Sequence, residues 1–234
     1  MRVLVRSSVA LALLLGLAVT AHAQQQKTFG IIAGVNWSTF NGTDADQPYD
    51  LFPPGATSTT LERTFLTGFI GGLYATIPIS DRFAFEPELL YAGKGSRYDY
   101  TFTSATSSLA ATLDFDLHYL SIPLLARYDY RPDGGPYGLL GVSVNFNVGC
   151  SIKASGTLAD SVGAPSSTDC GSAAAFYGAD LSANTTISGV VGLGYEMGKF
   201  GLEGRYDYDF GDAFKDDLSL HNTTWEVMLR YRFR

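Results

Sequence analysis

The chain of 234 residues sets 16 Lys and Arg against 23 Asp and Glu, a formal net charge of −7, and 46% of its residues are apolar. That acidic balance excludes a nucleic-acid surface, which needs clustered cations to neutralise phosphate. Beyond the N-terminal segment no stretch is apolar for long enough to form a transmembrane helix, so a membrane-embedded chain of this kind must cross as a barrel, and its 26 Gly, 15 Phe and 14 Tyr suit barrel walls and interfacial girdles.

Residues 1–23 read as a secretory signal peptide. Arg2 and Arg6 form a basic start, an apolar run follows over 9–19, and Ala21-His22-Ala23 offers a small-x-small cleavage site. The run is shorter than the ~20 residues of a spanning helix. No Cys follows the cleavage site, so a lipid anchor is not expected, and loss of the two arginines leaves residues 24–234 more acidic still.

The rest of the chain alternates with a period of two in segments of about the ten residues that carry a tilted strand across hydrocarbon. The first, 28–38, turns Phe29, Ile31, Ala33, Val35 and Trp37 outward and Gly30, Gly34 and Asn36 inward. A polar loop over 39–64 carries Asp44, Asp46, Asp50 and the breaker Pro53-Pro54-Gly55. The second segment, 65–77, reaches a tight turn at 78–82. The third, 83–94, sets Phe83, Phe85, Pro87, Leu89 and Tyr91 against Glu86, Glu88 and Lys94. A second polar loop is expected over 95–115.

The fourth segment, 116–128, has Leu120, Ile122, Leu124, Ala126 and Tyr128 outward and Tyr119, Ser121 and Arg127 inward, and Arg131-Pro132-Asp133-Gly134-Gly135 then has turn chemistry. The fifth, 136–148, leads into the longest loop, 149–184. The sixth, 185–196, turns through Met197-Gly198-Lys199 into the seventh, 200–210, where Phe200, Leu202, Tyr206 and Tyr208 oppose Glu203, Arg205 and Asp207. After a loop over 211–221, the last strand sets Trp225, Val227, Leu229, Tyr231 and Phe233 against Glu226, Met228, Arg230 and Arg232. An unbroken aromatic and aliphatic row of this kind is a face for lipid.

The expected fold is all-β, an eight-stranded antiparallel up-and-down transmembrane β-barrel. Its connections alternate long and short, which places short turns and both termini in the periplasm and four long loops outside. A soluble β-sandwich is the rival, and it does not account for the sparse, balanced charges of the polar face.

Those inward charges are Glu86, Glu88, Glu203 and Glu226 against Lys94, Arg127, Arg205 and Arg230, four of each sign. A buried charge needs a partner, so they are expected to form an ionic network filling the lumen. Aligning the last two strands brings Glu203 near Arg230, and Arg205 within diagonal reach of Glu226. A selectivity filter is the competing reading, but eight strands enclose a space that side chains fill. Cys150 and Cys170, the two cysteines, share the third long loop of an exported chain, and a disulfide at the base of that loop is expected.

Catalytic patterns are thin. His221 with Asp216, Asp217 and Ser219, and His118 on another strand, would suit a rim-active lipid enzyme, but spacing does not establish nucleophile and base geometry. Gly192-x-Gly194 with Gly198 opens no helix and reads as barrel wall. The Asp44, Asp46 and Asp50 group reads as solvated loop acid in preference to a cation site. No cofactor or metal is expected. Tyr98, Tyr100 and Phe102 in the second loop, with Phe176 and Tyr177 in the third, either anchor a partner or pack on each other where strands continue above the bilayer.

Glu86-Pro87-Glu88-Leu89-Leu90-Tyr91 before Lys94-Gly95, the run Tyr119-Leu120-Ser121-Ile122-Pro123-Leu124-Leu125-Ala126-Arg127-Tyr128, and Pro136-Tyr137-Gly138 together resemble the small outer-membrane β-barrel domain family that includes PorT-like proteins. The resemblance covers the chain beyond the signal and implies location and fold. It carries no catalytic residues, and one branch of the family is linked to protein secretion. The chain departs from the pattern in its two loop cysteines and in ending Phe233-Arg234, where assembly machinery usually meets a terminal aromatic. The expected function is structural or interactive at the surface, with outer-membrane lipid, the barrel assembly machinery, and envelope or secretion proteins as partners.

Overall fold

The computed structural model describes residues 27–46, 58–103, 108–132, 134–157, 166–172, 183–214 and 219–233. The segment read as a signal peptide, and Asp50, Pro53, Pro54, Gly55, Asp133, Phe176, Tyr177, Asp216, Asp217 and Arg234, lie outside them. No helix among the described residues is long and apolar enough to cross a membrane.

Among the described residues nine strands form: β1 (Thr28–Asn41), β2 (Ser58–Pro78), β3 (Phe83–Thr103), β4 (Ser108–Asp129), β5 (Gly135–Ser155), β6 (Thr168–Asp169), β7 (Thr186–Met197), β8 (Phe200–Asp209) and β9 (His221–Arg232). Eight of them close a ring. Each pairs antiparallel with its neighbour in the order β4-β3-β2-β1-β9-β8-β7-β5, and β4 pairs with β5 to complete the circle. First and last strands meet from Gly30↔Arg232 to Asn41↔His221, so neither is left as a free edge.

The expected lipid face is the observed outer face. Phe29, Ile31, Leu89, Leu140, Leu193, Leu202 and Leu229 are all exposed on it. Aromatic pairs on neighbouring strands mark its two margins: Phe200 and Tyr231 sit 5.2 Å apart toward the short turns, and Tyr206 and Trp225 4.7 Å apart toward the long loops. The three short turns share one end, and two use glycines in left-handed backbone, Gly134 (φ 100) and Gly198 (φ 64).

Where sequence and structure differ is the length of the strands on one side. β2, β3 and β5 span 21 residues each and β4 spans 22, against 12, 10 and 12 for β7, β8 and β9. The second loop expected over 95–115 is therefore mostly strand, paired from Lys94↔Leu117 to Thr103↔Ser108. The period of two persists there, but its sense inverts. Inside stand Tyr98, Tyr100, Phe102, Leu113 and Phe115, all buried, and the outward positions become Arg97, Asp99, Thr101, Thr112 and Asp114. That is the pattern of a sheet facing water, which marks where the wall leaves the lipid.

Inside this raised sheet, the rings of Tyr98 and Phe115 meet edge-on at 5.6 Å, and Phe40 and Phe214 from the low side of the rim meet at 5.7 Å. Together with Ala45, Leu117, Ile152, Ala213 and Leu220 they form a core that fills the end of the barrel opposite the short turns. Of the two readings of the loop aromatics, packing within extended strands is the one observed for Tyr98, Tyr100 and Phe102.

Candidate functional site

The lumen beneath that aromatic core is ionic and layered. Nearest the short turns, Arg127 lies 2.7 Å from Asp129, 2.9 Å from Glu196 and 3.4 Å from Glu86. Arg230 Nη1 sits 2.7 Å from Glu86 and 2.5 Å from Glu203. One layer up, Arg205 grips Glu88 with both terminal nitrogens, at 2.7 and 2.6 Å, and its Nε donates to Glu203. Higher still, Lys94 Nζ lies 3.1 Å from Asp207 and 3.8 Å from Asp209.

Glycines make the arginine layers possible. Gly30 faces Tyr74 and Gly194 faces Tyr137 in register. A Cβ on Gly30 would come within 2.5 Å of the Tyr74 ring, and one on Gly194 within 2.1 Å of the Tyr137 ring. Each ring thus lies flat across a bare backbone. The Arg230 guanidinium stacks 3.9 Å over Tyr74, and that of Arg127 3.8 Å over Tyr137, adding cation–π attraction to the ion pairs. Tyr137 Oη donates to Glu203 at 2.6 Å.

All eight residues assigned to the lumen network are buried, but the charges inside the barrel do not balance four to four. Asp207 and Asp209 are also buried, which among the described residues sets six buried carboxylates against four buried cations. The strand geometry differs from expectation too. Arg205 is directly opposite Glu226, while Glu203 and Arg230 form the diagonal pair. Arg205 nonetheless turns to Glu88 across the barrel, and Glu226 makes no ion pair with any described residue.

Two further constellations resolve differently. Ser219 Oγ lies 3.5 Å and Asp212 Oδ1 3.8 Å from the same His221 nitrogen, Nε2. A proton relay needs nucleophile and acid on opposite nitrogens of the ring, so Ser219 and Asp212 do not form one through His221, and the Asp216 and Asp217 expected beside it lie outside the described residues. His118 lies on another strand with Asp116 3.8 Å away and its ring 5.8 Å from that of Tyr91. Asp46 is bound by Arg63 at 2.9 Å, and Asp44 accepts the Ser219 amide at 2.8 Å. Among the described residues no three His, Cys, Asp or Glu side chains cluster to hold a metal.

Cys150 and Cys170 form a disulfide with Cα atoms 5.5 Å apart. It ties the two-residue β6, paired through Ser151↔Asp169 and Ile152↔Thr168, to the raised end of β5. Cys170 is seated in the aromatic core.

The closed eight-stranded ring with an apolar outer belt has its counterpart in the sequence, whose residues 22–215 match the outer membrane protein beta-barrel domain family. The chain belongs to that family. The match is to the domain family and does not single out its PorT-like members. Similar solved structures are other small barrels of the outer membrane. Ail of Yersinia pestis, in a complex with the heparin analogue sucrose octasulfate, is 16% identical over 89% of this chain and 100% of its own, with a TM-score of 0.42. Neisserial surface protein A is 16% identical over 89% and 100%, at 0.46. OprG from Pseudomonas aeruginosa is 16% identical over 90% and 97%, at 0.37. None of the curated proteins matches the sequence. As a member of the outer membrane barrel family, the chain is placed in the outer membrane.

Proposed function

We propose that this barrel is a closed membrane anchor for a rigid contact platform on the cell surface, with its short turns and termini in the periplasm. The observation that carries the reading is the raised sheet of β2 to β5. It continues past the lipid belt with its own aromatic core, and its third loop is clamped by a disulfide. A platform of this kind presents Glu62, Arg97, Asp99, Asp114, Asp116 and Lys153 outward without needing a ligand to order it. Arg97 is held by Asp114 at 2.6 and 2.8 Å, and Lys153 by Asp116 at 2.7 Å. The working partners are outer-membrane lipid at the belt, the barrel assembly machinery during insertion, and an envelope or external macromolecule at the platform.

A pore is disfavoured by the stacked arginine layers, which occupy the lumen from wall to wall. A rim-active lipid enzyme is disfavoured by the two contacts sharing His221 Nε2. The test combines two measurements. A photo-crosslinking side chain at Asp99 or Lys153 in living cells should give adducts and be reachable by an impermeant reagent, while one at Asp81 should not be reached. The purified protein in a planar bilayer should show no stepwise conductance. Labelling at Asp81 with none at Asp99 would reverse the orientation, and steady conductance would defeat the closed barrel.

A further inference from the structure

The surplus of two carboxylates in the lumen is localised. The three buried arginines serve Glu86, Glu88 and Glu203, and Asp209 accepts from Asn145, Thr186 and Asn222, which leaves Asp207 and Glu226 as the under-served acids, with Lys94 the one buried cation among the described residues not taken by the glutamates. Lys94 reaches Asp207 Oδ2 and Asp209, while Asp207 Oδ1 is buried with no hydrogen-bond partner. Carboxylates buried without matching positive charge are strongly disfavoured, whatever the surrounding strands contribute in packing.

A second observation points to an occupant. Beside Asp207 and Glu226 lies a void of about 10 Å³, whose lining also includes Lys94, Arg205 and Ser121. That is about the room one water-sized particle needs. Ser121 is 4% exposed and its Oγ has no partner; Thr224, in register with Asp207, is 0% exposed and its Oγ1 has none either. The ionic groups around the void are Lys94 of β3, Arg205 and Asp207 of β8 and Glu226 of β9. The β2, β4, β5 and β7 strands contribute uncharged residues, and Asn36 of β1 stands opposite Glu226. The site is too small and has too few acids for a multivalent metal.

We propose that the outer half of the lumen binds one small monovalent cation, a proton or an alkali ion, between Asp207 and Glu226. The protein, refolded in detergent with tetramethylammonium as the sole buffer cation, provides the test. A proton gives an infrared C=O stretch of a protonated carboxyl that shifts in D₂O. An alkali ion gives no such band, and instead a heat-modification midpoint that rises in Na⁺ or K⁺ at equal ionic strength. In either case Glu226→Gln should abolish the signal while folding to the same gel mobility, with a midpoint equal to or above wild type. The proposal is overturned if wild type shows neither signal, if the signal survives in Glu226→Gln, or if Glu226→Gln lowers the midpoint. Because wild type alone can fail the first criterion, a variant that does not fold leaves the proposal exposed. Failure here would not touch the platform reading, which rests on the raised sheet.

Discussion

Arg230 and Glu203 lie diagonally across the β8–β9 seam, Nη1 to Oε2 2.5 Å, although register sets Arg230 opposite Gly201 and Glu203 opposite Met228. The guanidinium settles between Glu203, Glu86 and the Tyr74 ring. One cation thereby ties β9 to three other strands, β8, β3 and β2.

Arg230→Ala should cost about 3–5 kcal/mol, because it strands carboxylates already removed from water. Adding Glu203→Ala should recover part of that loss and not all of it. Glu86 also depends on Arg230, though Arg127 at 3.4 Å remains to hold it. Urea unfolding in detergent measures the cycle. Additive single effects would show that the two side chains do not couple.

The outward pairs of the platform should behave differently. Arg97 and Lys153 stand in water, and in each the hydrogen bond donated to the Asp partner, then the partner's charge, raises the base above its ordinary value. Exposed pairs of this kind contribute at most about 1 kcal/mol. For Lys153 the sign is that of a base with a raised folded-state value. Its contribution is fully present at neutral pH and is lost as pH climbs through and past the ordinary lysine range. Arg97→Ala and Lys153→Ala should each lower stability slightly at low salt and less at high salt. A loss as large as that of Arg230→Ala, insensitive to salt, would mean these groups are not solvated.

The lipid belt was legible because hydrocarbon demands apolar side chains on the outward half of every strand, and no other environment does so along eight segments. The upper ends of β3 and β4 were not, since alternation there survives with its sense reversed, and Arg97, Asp99 and Thr101 read as loop. Asp209 escaped the charge balance because it is the last residue of its strand, beside Phe210 and Gly211 at an expected boundary. The partner of Arg205 escaped because it comes from across the lumen. Neighbouring strands can be aligned from their own residues, whereas Glu88 faces Arg205 only once the ring has closed. The two-residue β6 has no periodicity to detect, and the Cys150–Cys170 tie follows directly on it.

That tie tests the platform. Replacing Cys150 and Cys170 by Ser should leave insertion and heat-modifiable gel mobility intact, since the belt and the arginine layers lie elsewhere. The third loop should become protease-sensitive in intact cells, because β6 is held to β5 by two register pairs and little else. Loss of insertion would place the bridge in the barrel's own folding, and an unchanged proteolysis pattern would mean that packing of residue 170 in the aromatic core holds the loop without it.

Gly194→Ala probes the coupling of wall to lumen. The added methyl would meet Tyr137 Cζ at 2.1 Å and Oη at 2.2 Å. The ring cannot yield without loss, because Tyr137 is fully buried, donates to Glu203 at 2.6 Å and carries Arg127 3.8 Å above its face. Overpacking of this kind costs about 1–3 kcal/mol. Gly204→Ala is the matched control in the adjacent strand, since a methyl there lies on the lipid side and its nearest neighbour is the Glu226 carbonyl oxygen at 3.9 Å. Tyr137→Phe keeps the ring and removes the hydroxyl with its bond to Glu203 and the one it accepts from Arg230 Nη1 at 3.2 Å, and should cost about 1 kcal/mol, because Glu203 retains Arg205 and Arg230, and Arg230 its carboxylates. The expected order of heat-modification midpoints is therefore Gly204→Ala at or near wild type, then Tyr137→Phe, then Gly194→Ala. If Gly194→Ala matched Gly204→Ala, the tyrosine would be free to move aside, and the guanidinium layers would not depend on glycine in the wall.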